Sequence, residues 1–450
     1  MNLIDIKKIY FVGIGGIGMS ALARYFLLRG VEVYGYDKTE TILTKELAAE
    51  GMKVHYTDDV ALVPPNVDLV VYTPAIPKEH KELNYFLSNN ILVKKRSEVL
   101  GIISQSMKCI AVAGTHGKTS TSSLLVWILR CGGIDCTAFL GGIAKNYDSN
   151  FISGKSDWVI IEADEYDRSF LQLFPEISIV TALDADHLDI YGTHETMVEA
   201  YQQFMRQTQK IIFAHDDIEA IVLPNSVQFL KYGSDGGEYR SQFLRVRTDW
   251  FIFNYVSPLC DMTDIKFTQP GKYNAENATA AISVALHLGV SEENIRAALA
   301  SFKGIKRRFE FVYKSKNVTY IDDYAHHPKE LTAAIGAARM IYPDRKITGV
   351  FQPHLFTRTR DFAKDFGVAL SLLDEVILLE IYPARELPIE GVTSQIIFDE
   401  IKTKNKKLVT KNNLIEELSQ KDISVLMTLG AGDIDTFVPQ IKSWLEEEKL

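Results

Sequence analysis

The sequence predicts an α/β protein of three domains: an N-terminal Rossmann-like domain, a central P-loop ATPase-type α/β domain and a C-terminal Rossmann-like domain. Three observations carry this. The chain has 450 residues, too many for one ordinary core when domains usually hold roughly 100 to 200. Two glycine-rich turns each follow an apolar strand and open a helix. Further on, four segments read as strands that end in polar residues, the pattern of an open sheet whose ligands gather at its carboxyl edge.

The first domain, 1–104, opens with "KIYFVGIGGIGMSALARYFLLRG". It reads as a buried strand, a glycine turn and a helix closed by Gly30, after which "VEVYGYD" is a second strand ending at Asp37. Gly13, Gly15, Gly16 and Gly18 lie between strand and helix, where a diphosphate meets backbone N–H groups. Asp37 stands about 20 residues on, where an acidic side chain meets a ribose hydroxyl in NAD-binding proteins, so these residues alone make NAD the default ligand. A second phosphate loop is unusual in a dehydrogenase and turns the reading toward another pyrophosphate ligand, such as a nucleotide sugar. "DLVVYTPAI" supplies a later strand and "KKRSEVLGIISQS" the helix that leaves the domain.

The central domain, 105–306, begins with "KCIAVAGTHGKTSTSSLLVWILRCGG". In its loop, Gly114 and Gly117 let the backbone turn its N–H groups to a phosphate, with the positive end of the next helix behind them. Lys118 would neutralise the β and γ phosphates of a nucleotide, and the Thr119 hydroxyl would ligate magnesium. The usual loop has a further glycine five residues before Gly117, where this chain has Val112, so this is a shortened variant. A turn with a solvated lysine is the plainer alternative, opposed by the preceding strand and by the hydroxyl run Thr119, Ser120 and Thr121. Magnesium needs more hard oxygen, and Glu162 at the end of "WVIIE" is the first candidate. His187, in "DADHLDIYG", ends another strand and is either a second metal ligand, a stabiliser of the transferring phosphate or an ordinary surface histidine. Asp164, Glu165 and Asp167 read as a solvated acidic loop.

The last domain, 307–450, follows "GIKRRFE" with "VTYIDDYAHHP", "KITGVFQPH", "DEVILLEIYPA" and "ISVLMTLGAGD". "HHP" fits a strand-to-helix turn with Pro328 at the helix start. Hydrophobic residues make up 46% and charged residues 24% of the chain, the balance of a folded globular protein. A formal net charge of -9 opposes a nonspecific nucleic-acid footprint. Four cysteines without a Cys-x-x-Cys pair suit a reducing compartment, and no run of about 18 apolar residues occurs. The expected location is therefore cytoplasmic.

Nine ordered segments resemble the Mur ligases of peptidoglycan synthesis, most closely their alanine-adding branch: "FVGIGGIGMSALA", "AGTHGKTST", "EADEYDRSFL", "DADHLDIYG", "YNAENATAA", "FKGIKRRFE", "DDYAHHPKE", "FQPHLFTRTRDF" and "GAGD". The resemblance implies an ATP-dependent ligase that joins L-alanine to UDP-N-acetylmuramate through an acyl phosphate, with ATP and Mg2+ as cofactors. It implies that Gly13, Gly15, Gly16, Gly18 and Asp37 hold the UDP-sugar. Gly114, Thr115, His116, Gly117, Lys118, Thr119 and Ser120 would hold ATP, with Asn274, Asn277, Arg308, Asp323 and Tyr324. Thr119, Glu162 and His187 would bind metal, His326 and Arg358 the amino acid, and Lys118, Glu162, His187 and His326 would carry catalysis. Tyr273 stands where relatives commonly have histidine, and Leu355 where some carry arginine. A recycling ligase that attaches a murein tripeptide to the same sugar nucleotide is the neighbouring alternative.

Overall fold

The computed structural model describes residues 3–185, 188–247, 250–384 and 386–448. The chain forms two compact units, one of Met1–Gln242, Asn254–Thr263 and Glu276–Lys303, the other of Phe243–Phe253, Asp264–Ala275 and Gly304–Leu450.

The first unit begins with a five-stranded parallel sheet of β1 (Lys8–Val12), β2 (Glu32–Tyr36), β3 (Lys53–His55), β4 (Leu69–Tyr72) and β5 (Val93–Lys95), in the order β3-β2-β1-β4-β5. β1 is central, and its Ile9, Tyr10, Phe11 and Val12 are all buried. A parallel strand covered on both faces reads as an unbroken apolar run. The helix Ile17–Leu27 follows the glycine turn, with Gly16 as its N-cap and no side chain accepting from its first N–H groups.

The same unit holds β6 (Lys108–Ala113), β7 (Thr137–Ala144), β8 (Ser149–Ile152), β9 (Trp158–Glu162), β10 (Ile177–Val180), β11 (Ile211–His215) and β12 (Gln228–Gly233). They run side by side as β12-β11-β10-β6-β9-β7-β8. Among the described residues these strands pair in parallel, except in the hairpin of β7 and β8. The helix Lys118–Cys131 leaves β6 through the phosphate loop, with Gly117 as its N-cap and no side-chain cap. Three further strands, Tyr239–Arg247, Trp250–Val256 and Met262–Phe267, precede the helix Lys272–His287.

The β7–β8 hairpin is covered by the helix Ile17–Leu27. Tyr25 meets Phe151 edge-on at 6.0 Å and Phe139 at 5.5 Å between ring centres. Beside them Arg24, 7% exposed, donates to Asn150 Oδ1 at 2.5 Å and pairs with Glu50 at 2.6 Å, while Asn150 Nδ2 donates to Ser20 Oγ at 2.9 Å. Buried charge is tolerated there because each donor finds an acceptor.

The second unit carries a six-stranded sheet in the order Glu310–Lys314, Thr319–Asp323, Val425–Leu429, Ile347–Phe351, Glu375–Leu378, Lys406–Leu408. The first strand is antiparallel and the others are parallel. The four strands read from the sequence are its four adjacent central members. Among the described residues, no helix is long and apolar enough to cross a membrane.

Candidate active site

In the first unit, the carboxyl ends of β6, β9 and β10 meet around the phosphate loop. Gly117 has φ of +82°, a left-handed conformation that suits glycine, and a Cβ there would stand 2.6 Å from Asn277 Oδ1. Gly114, at φ of +134°, packs against Thr181 so closely that a side chain would collide with it. The loop is also stitched to the end of β10. The Thr115 N–H donates to Ala182 O at 3.0 Å, Thr115 Oγ1 accepts from the Asp184 N–H at 3.0 Å, and the Thr181 hydroxyl donates to His116 O. His116 Nε2 lies 3.6 Å from Asp184 Oδ2. Ser120 follows in the first turn of the helix and is half-buried.

Lys118 Nζ donates to Gly114 O at 2.5 Å and to Glu165 Oε1 at 2.9 Å. Burial opposes its charge, and the Glu165 carboxylate outweighs that, holding its pKa above the usual lysine value. Thr119 Oγ1 donates to Glu162 Oε1 at 2.8 Å, while Glu162 Oε2 accepts the Gly141 N–H at 2.7 Å. A hydroxyl and a carboxylate thus sit together at the loop, a donor set of hard oxygens that fits magnesium. Asn277, on the helix Lys272–His287, accepts from Thr121 Oγ1 at 3.1 Å. His187 lies outside the described residues.

The acidic loop is not the solvated stretch its composition suggested. Each acid holds a cation: Asp164 takes Arg96 at 2.8 Å, Glu165 takes Lys118 at 2.8 Å and Asp167 takes Lys95 at 2.8 Å. Glu165 is 1% exposed. The reason is long-range, since β5 and the helix Arg96–Ser106 bring two cations to a loop some 70 residues away. The signal was present in the sequence only as the adjacent pair Lys95 and Arg96.

The glycine motif of β1 and the phosphate loop share one cavity of about 390 Å³, lined by Gly16, Gly18, Arg96, Lys118, Gly141, Glu162 and Asp164 among others. Gly13 and Gly15 precede it, and the Gly15 N–H donates to Asp37 Oδ2 at 2.8 Å. Asp37 therefore fastens the end of β2 to the glycine turn.

In the second unit, Asp323 ends its strand and accepts from the N–H groups of Phe309 and Ala325, each at 2.7 Å. Burial pushes its pKa up to about 6, against the pull of Arg308 and these donors. The guanidinium of Arg308 lies 5.1 Å from the Tyr324 ring centre. His326 Nδ1 lies 3.0 Å from Tyr324 O and 3.2 Å from Glu330 Oε2. Its ring is 5.9 Å from that of His354, which stacks on Tyr382 at 5.8 Å. His354, in the "FQPH" segment after Phe351, forms an isolated bridge with Tyr382. Leu355, buried at φ of +69°, caps the helix Phe356–Leu370, in whose first turn Arg358 is buried. Asn274 Nδ2 donates to Pro270 O at 2.7 Å, and Tyr273 packs against the core of this unit.

A phosphate loop at a parallel sheet's edge, a shared cavity with a second glycine motif, and a separate α/β unit with a histidine and arginine cluster define a multidomain nucleotide-dependent enzyme of the α/β class. Residues 8–108 match the Mur ligase family, catalytic domain, residues 112–285 the Mur ligase middle domain, and residues 307–434 the Mur ligase glutamate ligase domain. The chain belongs to the Mur ligase family. It is 49% identical to the UDP-N-acetylmuramate–L-alanine ligase of Flavobacterium psychrophilum, covering 100% of both chains. It is 47% identical to the ligase of the same name from Porphyromonas gingivalis, over 98% of this chain and 99% of that one. The solved UDP-N-acetylmuramate–alanine ligase of Thermotoga maritima has a TM-score of 0.84 at 28% identity, covering 98% of this chain and 100% of that one.

Proposed function

We propose that this chain joins L-alanine to the lactyl carboxylate of UDP-N-acetylmuramate, with ATP converted to ADP and phosphate. The observation that carries the reading is the shared cavity, which puts a diphosphate-type glycine turn opposite Lys118 and Glu162. An acid tethered to a diphosphate there faces the terminal phosphate of a nucleotide on the loop. Relatives at 46–49% identity over 98–100% of this chain bear the name of this activity.

In the first step a carboxylate oxygen attacks the γ-phosphorus, the bond to the β-bridging oxygen breaks and ADP leaves. In the second the alanine amine attacks the acyl carbon, the phosphate leaves with the acyl C–O electron pair, and the amine's proton passes to solvent or base. The work is charge neutralisation and alignment. Lys118 would exchange Glu165 for phosphate oxygens, and the uncapped N–H groups of Gly117 and its helix would hold others. Thr119 and Glu162 would hold Mg2+, joined by His187, and the ion would offset the charge of an anion attacking a triphosphate. Asn274, Asn277, Arg308, Asp323 and Tyr324 would hold the nucleotide, and His326 and Arg358 the amino acid. Gly13, Gly15, Gly16, Gly18 and Asp37 would hold the UDP-sugar. The domain limits of 1–104, 105–306 and 307–450 and a cytoplasmic location belong to the same proposal, the latter supported by a reaction that consumes ATP.

The test is a coupled ADP assay with UDP-N-acetylmuramate, magnesium and a panel of amino acids. ADP should appear with L-alanine and vanish in Lys118→Ala. ADP release that follows a murein tripeptide and not alanine would overturn the assignment.

A further inference from the structure

We propose that Arg96 is a positioning residue for the diphosphate of the nucleotide-sugar substrate. The inference rests on the function proposed above and assigns it a residue that none of the sequence motifs singled out for binding.

Arg96 opens the helix Arg96–Ser106, and its guanidinium lies against the first turn of the helix Ile17–Leu27. A Cβ on Gly18 would stand 2.7 Å from Arg96 Nη1 and 3.1 Å from Cζ, so a side chain at position 18 would push the arginine out. Nη2 donates to Asp164 Oδ2 at 2.8 Å, its one hydrogen bond among the described residues. The side chain of Arg96 is 16% exposed and that of Asp164 41%, so the cation is built into the wall while its acid faces solvent. Asp164, exposed to water on its own side, can be rehydrated when the arginine turns to a phosphate, so the contact can be exchanged.

Four charged residues line the cavity: Arg96, Lys118, Glu162 and Asp164. Lys118 opens the helix after the phosphate loop and Glu162, at the end of β9, holds Thr119 beside it, which leaves Arg96 as the cation on the glycine-turn wall. The N–H groups that Gly16 leaves uncapped are on the same wall. A planar guanidinium offers two parallel donors, the geometry that a diphosphate takes up bidentately and an ammonium does not match. On binding, Arg96 trades the single Asp164 contact for two phosphate oxygens.

Calorimetry with UDP alone, with UDP-N-acetylmuramate and with ATP, on the full-length parent, Arg96→Gln and Arg96→Lys, tests this. Arg96→Gln should weaken UDP at least about tenfold, the loss for charged hydrogen bonds, with Arg96→Lys recovering only part. KM for UDP-N-acetylmuramate should rise in parallel and ATP affinity should stay at the parental value, a split that a general loss of structure does not give. UDP affinity equal to the parent's in a variant of unchanged melting temperature overturns the proposal. So does a loss confined to UDP-N-acetylmuramate, which puts the arginine on the acid instead. Should Arg96→Gln not fold, Arg96→Lys decides alone, because it keeps charge and most of the length. A parent that binds neither UDP nor UDP-N-acetylmuramate, and releases no ADP with it, refutes the functional reading itself, before Arg96 is in question.

Discussion

Gly117 shows what one residue contributes. Its left-handed backbone disfavours a side chain, and a methyl group there would stand 2.6 Å from Asn277 Oδ1. Gly117→Ala should cost roughly 1–2 kcal/mol from the backbone alone and weaken ATP binding, read by chemical denaturation and by nucleotide titration. The pattern of glycine, lysine and threonine was legible in the sequence, because local geometry dictates it. The partner of the lysine was not: Glu165 lies 47 positions away and looked like loop acid. Histidine clusters show the same limit from the other side. Asp58, His80 and Glu82 have metal-like composition, yet Asp58 accepts the Lys81 and Glu82 N–H groups at 3.0 and 3.1 Å. His80 Nδ1 accepts the Leu83 N–H at 3.3 Å, so the cluster caps a helix.

Among elements, the helix Ile17–Leu27 has two tasks. Its first turn borders the shared cavity, and its later turns are fastened to the β7–β8 hairpin by Tyr25 and by Arg24 with Asn150. Asn150→Ala leaves Arg24 its pairing with Glu50 but removes the acceptor of Nη1, and should cost about 1.5–3 kcal/mol, seen as a lower denaturation midpoint with unchanged slope. The strand-to-helix units that open both glycine loops were legible because a buried parallel strand is an unbroken apolar run. The hairpin was not, since "TAFLGGIA" mixes glycine with apolar residues and its partner β8 is only four residues long. The same holds for the three strands between Tyr239 and Phe267, whose alternation is interrupted at Phe243, an exposed phenylalanine at φ of +55°, and at Asp264, at φ of +52°.

At the scale of the whole molecule, a net charge of -9 means that the anionic ligands of the proposed reaction must be met by local cations. Two such cations, Lys118 and Arg96, are each paired with an acid, Glu165 and Asp164. pH acts on this balance through His215, whose Nδ1 lies 2.6 Å from Asp217 and whose Nε2 lies 3.8 Å from Glu276. Burial opposes its charge, but these carboxylates push its pKa up to about 10, above the usual histidine value. A raised pKa stabilises the fold fully below the unfolded value and loses that effect as pH climbs through the folded one. The gap in melting temperature between the parent and His215→Gln should therefore be widest below pH 6.5 and close as pH approaches 10. The cavity of 390 Å³ has a further consequence. If the proposed function holds, one compound that fills it would touch the walls of both proposed ligands at once, and a mutation that evicts the drug would also alter a surface that the reaction uses. Escape by a single change is correspondingly hard.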